Sequence, residues 1–205
     1  MTLTVCISIV IMYSGIYNDF WGSGGGFDKG RQEPVRGGAD KMQKHDKMHE
    51  QFMNKAYIEA VKAYKKNEAP VGAVIVKDGE IISRGHNERE SKKDPTLHAE
   101  ITAIRKASRK LESWRLAGCD MYVTLEPCAM CAGALIQARI RRLYIGAPDP
   151  KAGAAGSVLN IFDTDGFNHK VEVFSGILED KCSLILKQFF KEIRHAKIKK
   201  AENPG

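Results

Sequence analysis

The stretch MYVTLEPCAMCAGALIQARIRRLYIG, Met121 to Gly146, decides the fold. It reads as strand, helix, strand. Met121–Leu125 alternates large apolar and β-forming residues. Pro127 suits the first position of a helix, where its missing N–H has no intrahelical partner, and that helix runs to about Arg139. Arg142–Gly146 is the second strand. Two neighbouring strands joined through a helix run parallel.

Upstream, Gly72–Lys77 is an apolar run, and Asp78-Gly79 is a strong hairpin turn into Glu80–His86, which predicts an antiparallel pair. A helix from Met48 to Lys66 places Phe52, Ala56, Ala60, Ala63 and Tyr64 at helical spacing, and Pro70 closes it. Asn87–Pro95 is a polar loop. A helix follows, capped by Asp94 or Thr96, with Pro95 in its first turn and Ile101, Ile104, Ser108 and Leu111 on one stripe. Downstream come a Gly/Ala-rich loop, a strand at Val171–Ser175, and a last helix from about Glu179 to Lys197 that buries Cys182, Ile185, Leu186, Phe189 and Ile193. The alternation predicts an α/β fold: a three-layer α/β/α sandwich around a central mixed sheet of about five strands.

The chain has 205 residues with 43% hydrophobic and 28% charged residues, values of a globular protein with room for one domain. No apolar run reaches the roughly 18 residues that span a bilayer, so no membrane partner is expected. Five cysteines are too few for a disulfide scaffold, and two stand as Cys128-x-x-Cys131, which favours metal or redox chemistry in a reducing compartment. The formal charge is +7, and residues 1–46 contribute nothing to it, with five basic and five acidic residues. A basic folded domain suits a polyanion, nucleic acid before membrane.

Residues 1–46 differ from the rest. Val5–Tyr13 is apolar but too short to span a bilayer and lacks the preceding basic residues of a signal peptide, so it is not expected to act as one. Eight of the 19 glycines follow or flank it, so backbone entropy opposes order. The expected organisation is a disordered extension over 1–46, a catalytic domain over 47–200 and a tail over 201–205. Met42 or Met48 is the expected biological start; peptides from residues 1–40 in the native protein would refute this.

His98, Cys128 and Cys131 have the chemistry and spacing of zinc ligands. The two cysteines lie i,i+3 at a helix start, so both sulfurs point to one side, and the positive end of the helix favours thiolates. Three protein ligands leave a fourth position for a water, whose pKa a zinc ion lowers to about 7. Glu100 stands two residues beyond His98. Both reach one site only if the helix N-terminus is aimed at it. Glu100 then serves as a proton carrier and not a ligand, since a fourth ligand would close the site. A redox pair or half of a structural zinc site are the other readings of Cys-x-x-Cys. The first lacks a thioredoxin-like context, and the second lacks another Cys-x-x-Cys.

With these residues in view, His98-Ala-Glu100 and Thr124-Leu-Glu-Pro-Cys-Ala-Met-Cys-Ala-Gly-Ala134 resemble the zinc-dependent nucleoside and nucleobase deaminases. Within them the chain is most similar to the bacterial tRNA-specific adenosine deaminases, through Ala69–Val74, Gly85-His-Asn87, Asp94–Glu100, Gly146–Ser157, Asn168–Val171 and Gly176-Ile-Leu178. The resemblance spans about residues 47–200. It implies a cytidine-deaminase-like fold and one Zn2+ per subunit. It further implies hydrolytic deamination of adenosine to inosine at the wobble position of a tRNA anticodon, in a cytoplasmic homodimer whose two subunits both touch the RNA. It implies that Asn87 binds the base, that Ala99, Val71 and Leu125 line the base pocket, and that Asp149 and Lys151 meet the flanking nucleotides of the anticodon stem-loop. Phe189, Phe190 and Arg194 are further candidates for RNA contact, as are His169 and the basic run Lys197, Lys199, Lys200. Cys6, Cys119 and Cys182 are expected as free thiols.

Two other functions compete. A free-base or nucleotide deaminase acting on guanine or cytosine shares the zinc motif, but the basic domain and basic last helix argue against it. A non-catalytic RNA-binding subunit would lack the proton-carrying carboxylate, and Glu100 is present.

Overall fold

The structure, a computed structural model, describes residues 39–202. Residues 1–38 of the expected extension, the apolar Val5–Tyr13 and Cys6 among them, lie outside the described residues. The chain divides into two compact units, residues 44–189 with the sheet and the site, and the end segments outside them. Five strands form one sheet: β1 (Gly72–Lys77), β2 (Glu80–His86), β3 (Asp120–Leu125), β4 (Arg142–Ala147) and β5 (Glu172–Phe174), in the order β2-β1-β3-β4-β5. The hairpin pair and β1–β3 are antiparallel, while β3–β4 and β4–β5 are parallel. Asp78 and Gly79 both take positive φ, 50° and 81°, as a tight hairpin turn matched to strand twist requires.

Helices cover both faces. α3 (Ala99–Lys110) and α4 (Ala129–Gln137) pack on the face bearing Ala73, Ile75, Met121, Val123, Leu143 and Ile145. α1 (Ala39–Lys65) and α5 (Glu179–Glu202) supply Met53, Ala56 and Cys182 to the face bearing Val74, Val76, Tyr122 and Tyr144. Successive residues of each strand therefore serve opposite layers, as a sheet buried on both sides demands. On the second face Tyr122 and Tyr144 stack with ring centroids 4.5 Å apart, and His49 stacks on Tyr144 at 4.3 Å while bonding the Tyr122 hydroxyl at 2.8 Å. Among the described residues no helix is long and apolar enough to cross a membrane.

Four local expectations need correction. α1 begins at Ala39 rather than Met48, because Ala39–Asp46 is polar helix-forming sequence with no apolar period to read. The loop after β2 contains a short helix, α2 (Arg89–Lys92). α3 is not capped by Asp94 or Thr96, and Pro95 lies outside it. Its N-cap is His98, and Asp94 instead accepts the Thr96 N–H at 2.8 Å in a local turn. Pro127 likewise precedes the N-cap of α4, which is Cys128, and that helix stops at Gln137.

The buried stripe of α3 also differs from the expected one. Ala99, Ala103 and Ala107 are fully buried, while Ile101, Ile104, Ser108 and Leu111 are only half-buried. The cause is close approach. A Cβ on Gly85 of β2 would lie 2.2 Å from the Ala99 carbonyl oxygen and 2.7 Å from the Ala103 nitrogen, so the helix backbone rests directly on the strand and only alanine fits between them. Gly85→Ala is therefore expected to lower stability by about 2–3 kcal/mol and Tm by about 4–12 °C, because both atoms it meets are backbone. An unchanged melting curve would show that α3 can lift off the strand at no cost. On α5, Cys182, Ile185, Leu186 and Phe189 are buried as expected, and Ile193 is half-buried. Phe190 is buried too, so both phenylalanines are core residues rather than RNA-facing ones.

Candidate metal and active site

The topology brings the candidate residues to one edge of the sheet. Because β3 and β4 are parallel, Leu125 and Ala147 end side by side. β1 runs against β3, so its first residue, Gly72, and the preceding Val71 lie at the same edge. β2 runs against β1, so its last residue pairs with Gly72 and delivers Asn87 there. The backbone N–H of Asn87 bonds the Val71 carbonyl at 3.1 Å, and the Glu88 N–H bonds the Leu97 carbonyl at 3.0 Å, one residue before His98. Loops beyond strand ends are where α/β folds build their sites.

Here His98, Cys128 and Cys131 converge. Their ligand atoms all lie within 4.8 Å of one another. His98 Nδ1 stands 3.7 Å from Cys128 Sγ and 3.6 Å from Cys131 Sγ. His98 and Cys128 are the N-caps of two helices that pack together, α3 and α4, and Cys131 is the third residue of the latter. One nitrogen and two sulfurs at this spacing match a zinc donor set.

The electrostatics fit a cation. The Cys131 side chain, hydrogen-bonded to Cys128, drives the Cys128 thiol down to about 3, with His98 helping and burial opposing. Cys131 is shifted the other way, by that same bond and by burial. A bound dication would hold both sulfurs as thiolates. Burial opposes charge on His98, but the neighbouring Cys128 and Glu100 outweigh it and its pKa is raised.

Glu100 lies in the first turn of α3, only 3% exposed. Burial raises its pKa, opposed by His98. Its Oε2 makes no hydrogen bond although buried. A buried carboxylate oxygen without a partner is costly, and this one leaves an acceptor open beside the His98–Cys128–Cys131 cluster. The donor set and this orphaned oxygen together fit a metal with one position open to a reactant.

The other expected contacts divide. Ala99 is fully buried. Val71 is half-buried and packs on the α3–α4 side of the sheet, whereas the half-buried Leu125 packs on the opposite cluster. Asp149 is 5% exposed, and its Oδ1 accepts the Lys151 and Ala152 N–H groups at 3.0 and 3.3 Å, so the carboxylate shapes its own loop. Burial nevertheless raises the Asp149 pKa. Lys151 is half-buried on that loop. His169 Nε2 contacts the Ile140 carbonyl oxygen at 2.6 Å, which ties it to the backbone. Cys119 and Cys182 are buried free thiols.

Two buried carboxylates escaped the sequence reading. Glu126 accepts the N–H groups of Asp149, Ala155 and Ser157 at 3.0, 2.8 and 3.1 Å, and also the Ser157 hydroxyl. A Cβ at Gly153 would come within 2.4 Å of it, so loop 149–157 wraps tightly around Glu126. Gly153 pairs with Cys128, which sets the loop beside the candidate metal-binding cluster. Glu68 accepts the Asn87 side-chain amide. Neither carries a motif, because their partners lie some 20 to 30 residues away along the chain.

A parallel-edged α/β/α sandwich with His-x-Glu and Cys-x-x-Cys facing each other at helix N-termini defines a deaminase of the metal-dependent class. The family model of MafB19-like deaminases matches residues 47–194. The tRNA-specific adenosine deaminase of Bacillus subtilis (strain 168) is 47% identical over 148 residues, 72% of this chain and 92% of that protein. That of Aquifex aeolicus (strain VF5) is 49% identical over 146 residues, covering 71% and 96%. A solved structure from work on A-to-I editing by tRNA:A34 deaminases superposes with a TM-score of 0.65 at 48% identity, covering 66% of this chain and 99% of that one. The chain belongs to the tRNA-specific adenosine deaminase family.

Proposed function

We propose that this protein converts adenosine to inosine at the wobble position of a tRNA anticodon, with water as co-substrate and ammonia as product. The observation that carries the chemistry is the buried, half-unpaired Glu100 carboxylate beside the His98–Cys128–Cys131 cluster. The relatives carry the substrate. His98, Cys128 and Cys131 would hold one zinc ion, which supplies an electrophilic centre and an acidified water at neutral pH. Glu100 takes the proton of the attacking water at Oε2 and delivers it to the leaving 6-amino nitrogen. Its raised pKa suits a group that must both accept and return a proton. A wobble base sits in a loop, so extruding it into the pocket costs little.

Asn87 contacts the base through its amide, with the Ala99 backbone, Val71 and Leu125 around it. Loop 149–157, shaped by Asp149 and Glu126 and carrying Lys151, meets the flanking nucleotides. The working assembly is a cytoplasmic homodimer whose two subunits both touch the RNA.

Each phosphate neutralised on binding steepens the salt dependence by about 0.7 in log K per log salt for single strands. Deamination of an anticodon stem-loop bearing a wobble adenosine, read as inosine by mass spectrometry at sub-saturating RNA, is expected to fall steeply from low to moderate salt. Lys151→Ala is expected to flatten that slope by roughly one phosphate, while free guanine, cytosine and adenosine react poorly at every salt. Efficient turnover of free guanine with an inert stem-loop would transfer the assignment to a free-base deaminase.

A further inference from the structure

We propose that Glu68 is a positioning residue for the base contact: it sets which way the Asn87 amide faces and locks it to the turn of α2. The inference rests on the reading of Asn87 as the residue that meets the base.

The chain delivers Glu68 to this place by the way α1 ends. Asn67 adopts φ 57°, its N–H bonds the Tyr64 carbonyl at 3.0 Å, and the Glu68 N–H reaches back to the Ala63 carbonyl at 3.0 Å. This pair of bonds is a Schellman ending, which turns the chain sharply off the helix axis. Glu68 emerges fully buried, at 0% exposure. A carboxylate is buried only where donors surround it, and three do. Glu68 Oε2 accepts from Asn87 Nδ2 at 3.2 Å and from the Glu90 N–H at 3.2 Å, and Oε1 accepts from the Ser91 N–H at 2.7 Å.

Two consequences follow from the donor chemistry. A carboxylate can only accept, whereas an amide has a donating and an accepting end. The Asn87 nitrogen must therefore turn toward Glu68, and the amide oxygen turns away from it. Glu90 and Ser91 lie in the first turn of α2, whose N-cap Glu88 makes no side-chain cap. Glu68 supplies that missing acceptor from across the fold. It thereby ties the amide orientation of Asn87 to the position of the whole segment from Asn87 to Ser91. The Asn87 backbone is held separately by the Val71 carbonyl, so Glu68 governs the side chain.

The test is a double-mutant cycle in the full-length, zinc-loaded protein. Glu68→Gln keeps the shape but adds a donor, so the Asn87 amide can take either orientation. We expect kcat/KM on the anticodon stem-loop to fall by about 10- to 100-fold, the scale of a misplaced binding group, with zinc content retained. In an Asn87→Ala background the same change is expected to cost nothing further, because the group it orients is gone. A purely structural Glu68 would lower Tm and activity in both backgrounds, and effects that multiply overturn the proposal while leaving Asn87 in its role. Full activity of Asn87→Ala alone would overturn both the Asn87 reading and this one, a distinct result. Should Glu68→Gln not fold, Glu68→Asp, which keeps the carboxylate but draws it back, carries the same cycle. Masking by Asn87→Ala supports the proposal, and multiplication overturns it.

Discussion

Glu100→Gln is expected to leave the protein folded, metal-loaded and able to bind an anticodon stem-loop, yet to lower single-turnover inosine formation by about 10⁴-fold. A general acid–base group typically contributes about 10²–10⁴ in rate. Here one carboxylate moves the proton between water and leaving amine, so the upper end applies. The glutamine is isosteric, and the residue it replaces is 3% exposed with one oxygen making no hydrogen bond. Little packing is lost, and an uncharged amide removes a costly buried charge. Stability should therefore be unchanged or slightly raised, which separates this variant from a folding defect. Zinc measured by elemental analysis should stay at about one per chain. Loss of the metal in this variant would instead make Glu100 a ligand.

Cys131→Ala is expected to abolish both metal and activity. Cys131 is fully buried and its sulfur lies 3.6 Å from His98 Nδ1. Without it two donors remain, too few to retain zinc through purification. The fold should weaken by more than the lost sulfur contacts explain, because metal binding is folding free energy. Cys182→Ala is the control. Cys182 is buried as completely, but in the cluster on the other sheet face. Its loss should lower Tm while leaving zinc and turnover intact. A Cys131→Ala protein with full zinc content would falsify the ligand assignment.

The elements that the sequence made legible are those whose signal is local. Cys128-x-x-Cys131 at a helix start is an i,i+3 pair, and such a pair shares a side whatever surrounds it. The Asp78-Gly79 hairpin is set by two positive φ values in adjacent residues. His98 and Glu100, two residues apart, can face one site only at a helix N-terminus, and His98 is the N-cap of α3 with Glu100 in its first turn. The helix starts were less legible. Asp94, Thr96 and Pro127 are good start residues by type, yet each stands before the observed N-cap. The cap positions went to His98 and Cys128 because two helix N-termini converge there.

The α3 stripe shows why burial pattern was harder to read than element type. Isoleucines at helical spacing suggest the core face, yet Ala99, Ala103 and Ala107 occupy it. The deciding residue is Gly85, on a different strand, which lets the helix backbone approach too closely for larger side chains. Asp149 gives the same lesson at the site. By type it suits an RNA-facing loop, but its carboxylate turns inward onto Lys151 and Ala152.

By itself the sequence determined the order of the main strands and helices, the candidate His98–Cys128–Cys131 donor set and the family, since each rests on residue type and short spacing. Only the tertiary structure decided that Glu126 and Glu68 are the acceptors that shape the loops around the candidate metal site and bond the Asn87 amide. The physical reason is that a buried carboxylate must find its N–H donors wherever the chain supplies them. Here they come from segments that meet only because parallel and antiparallel strands end at one sheet edge.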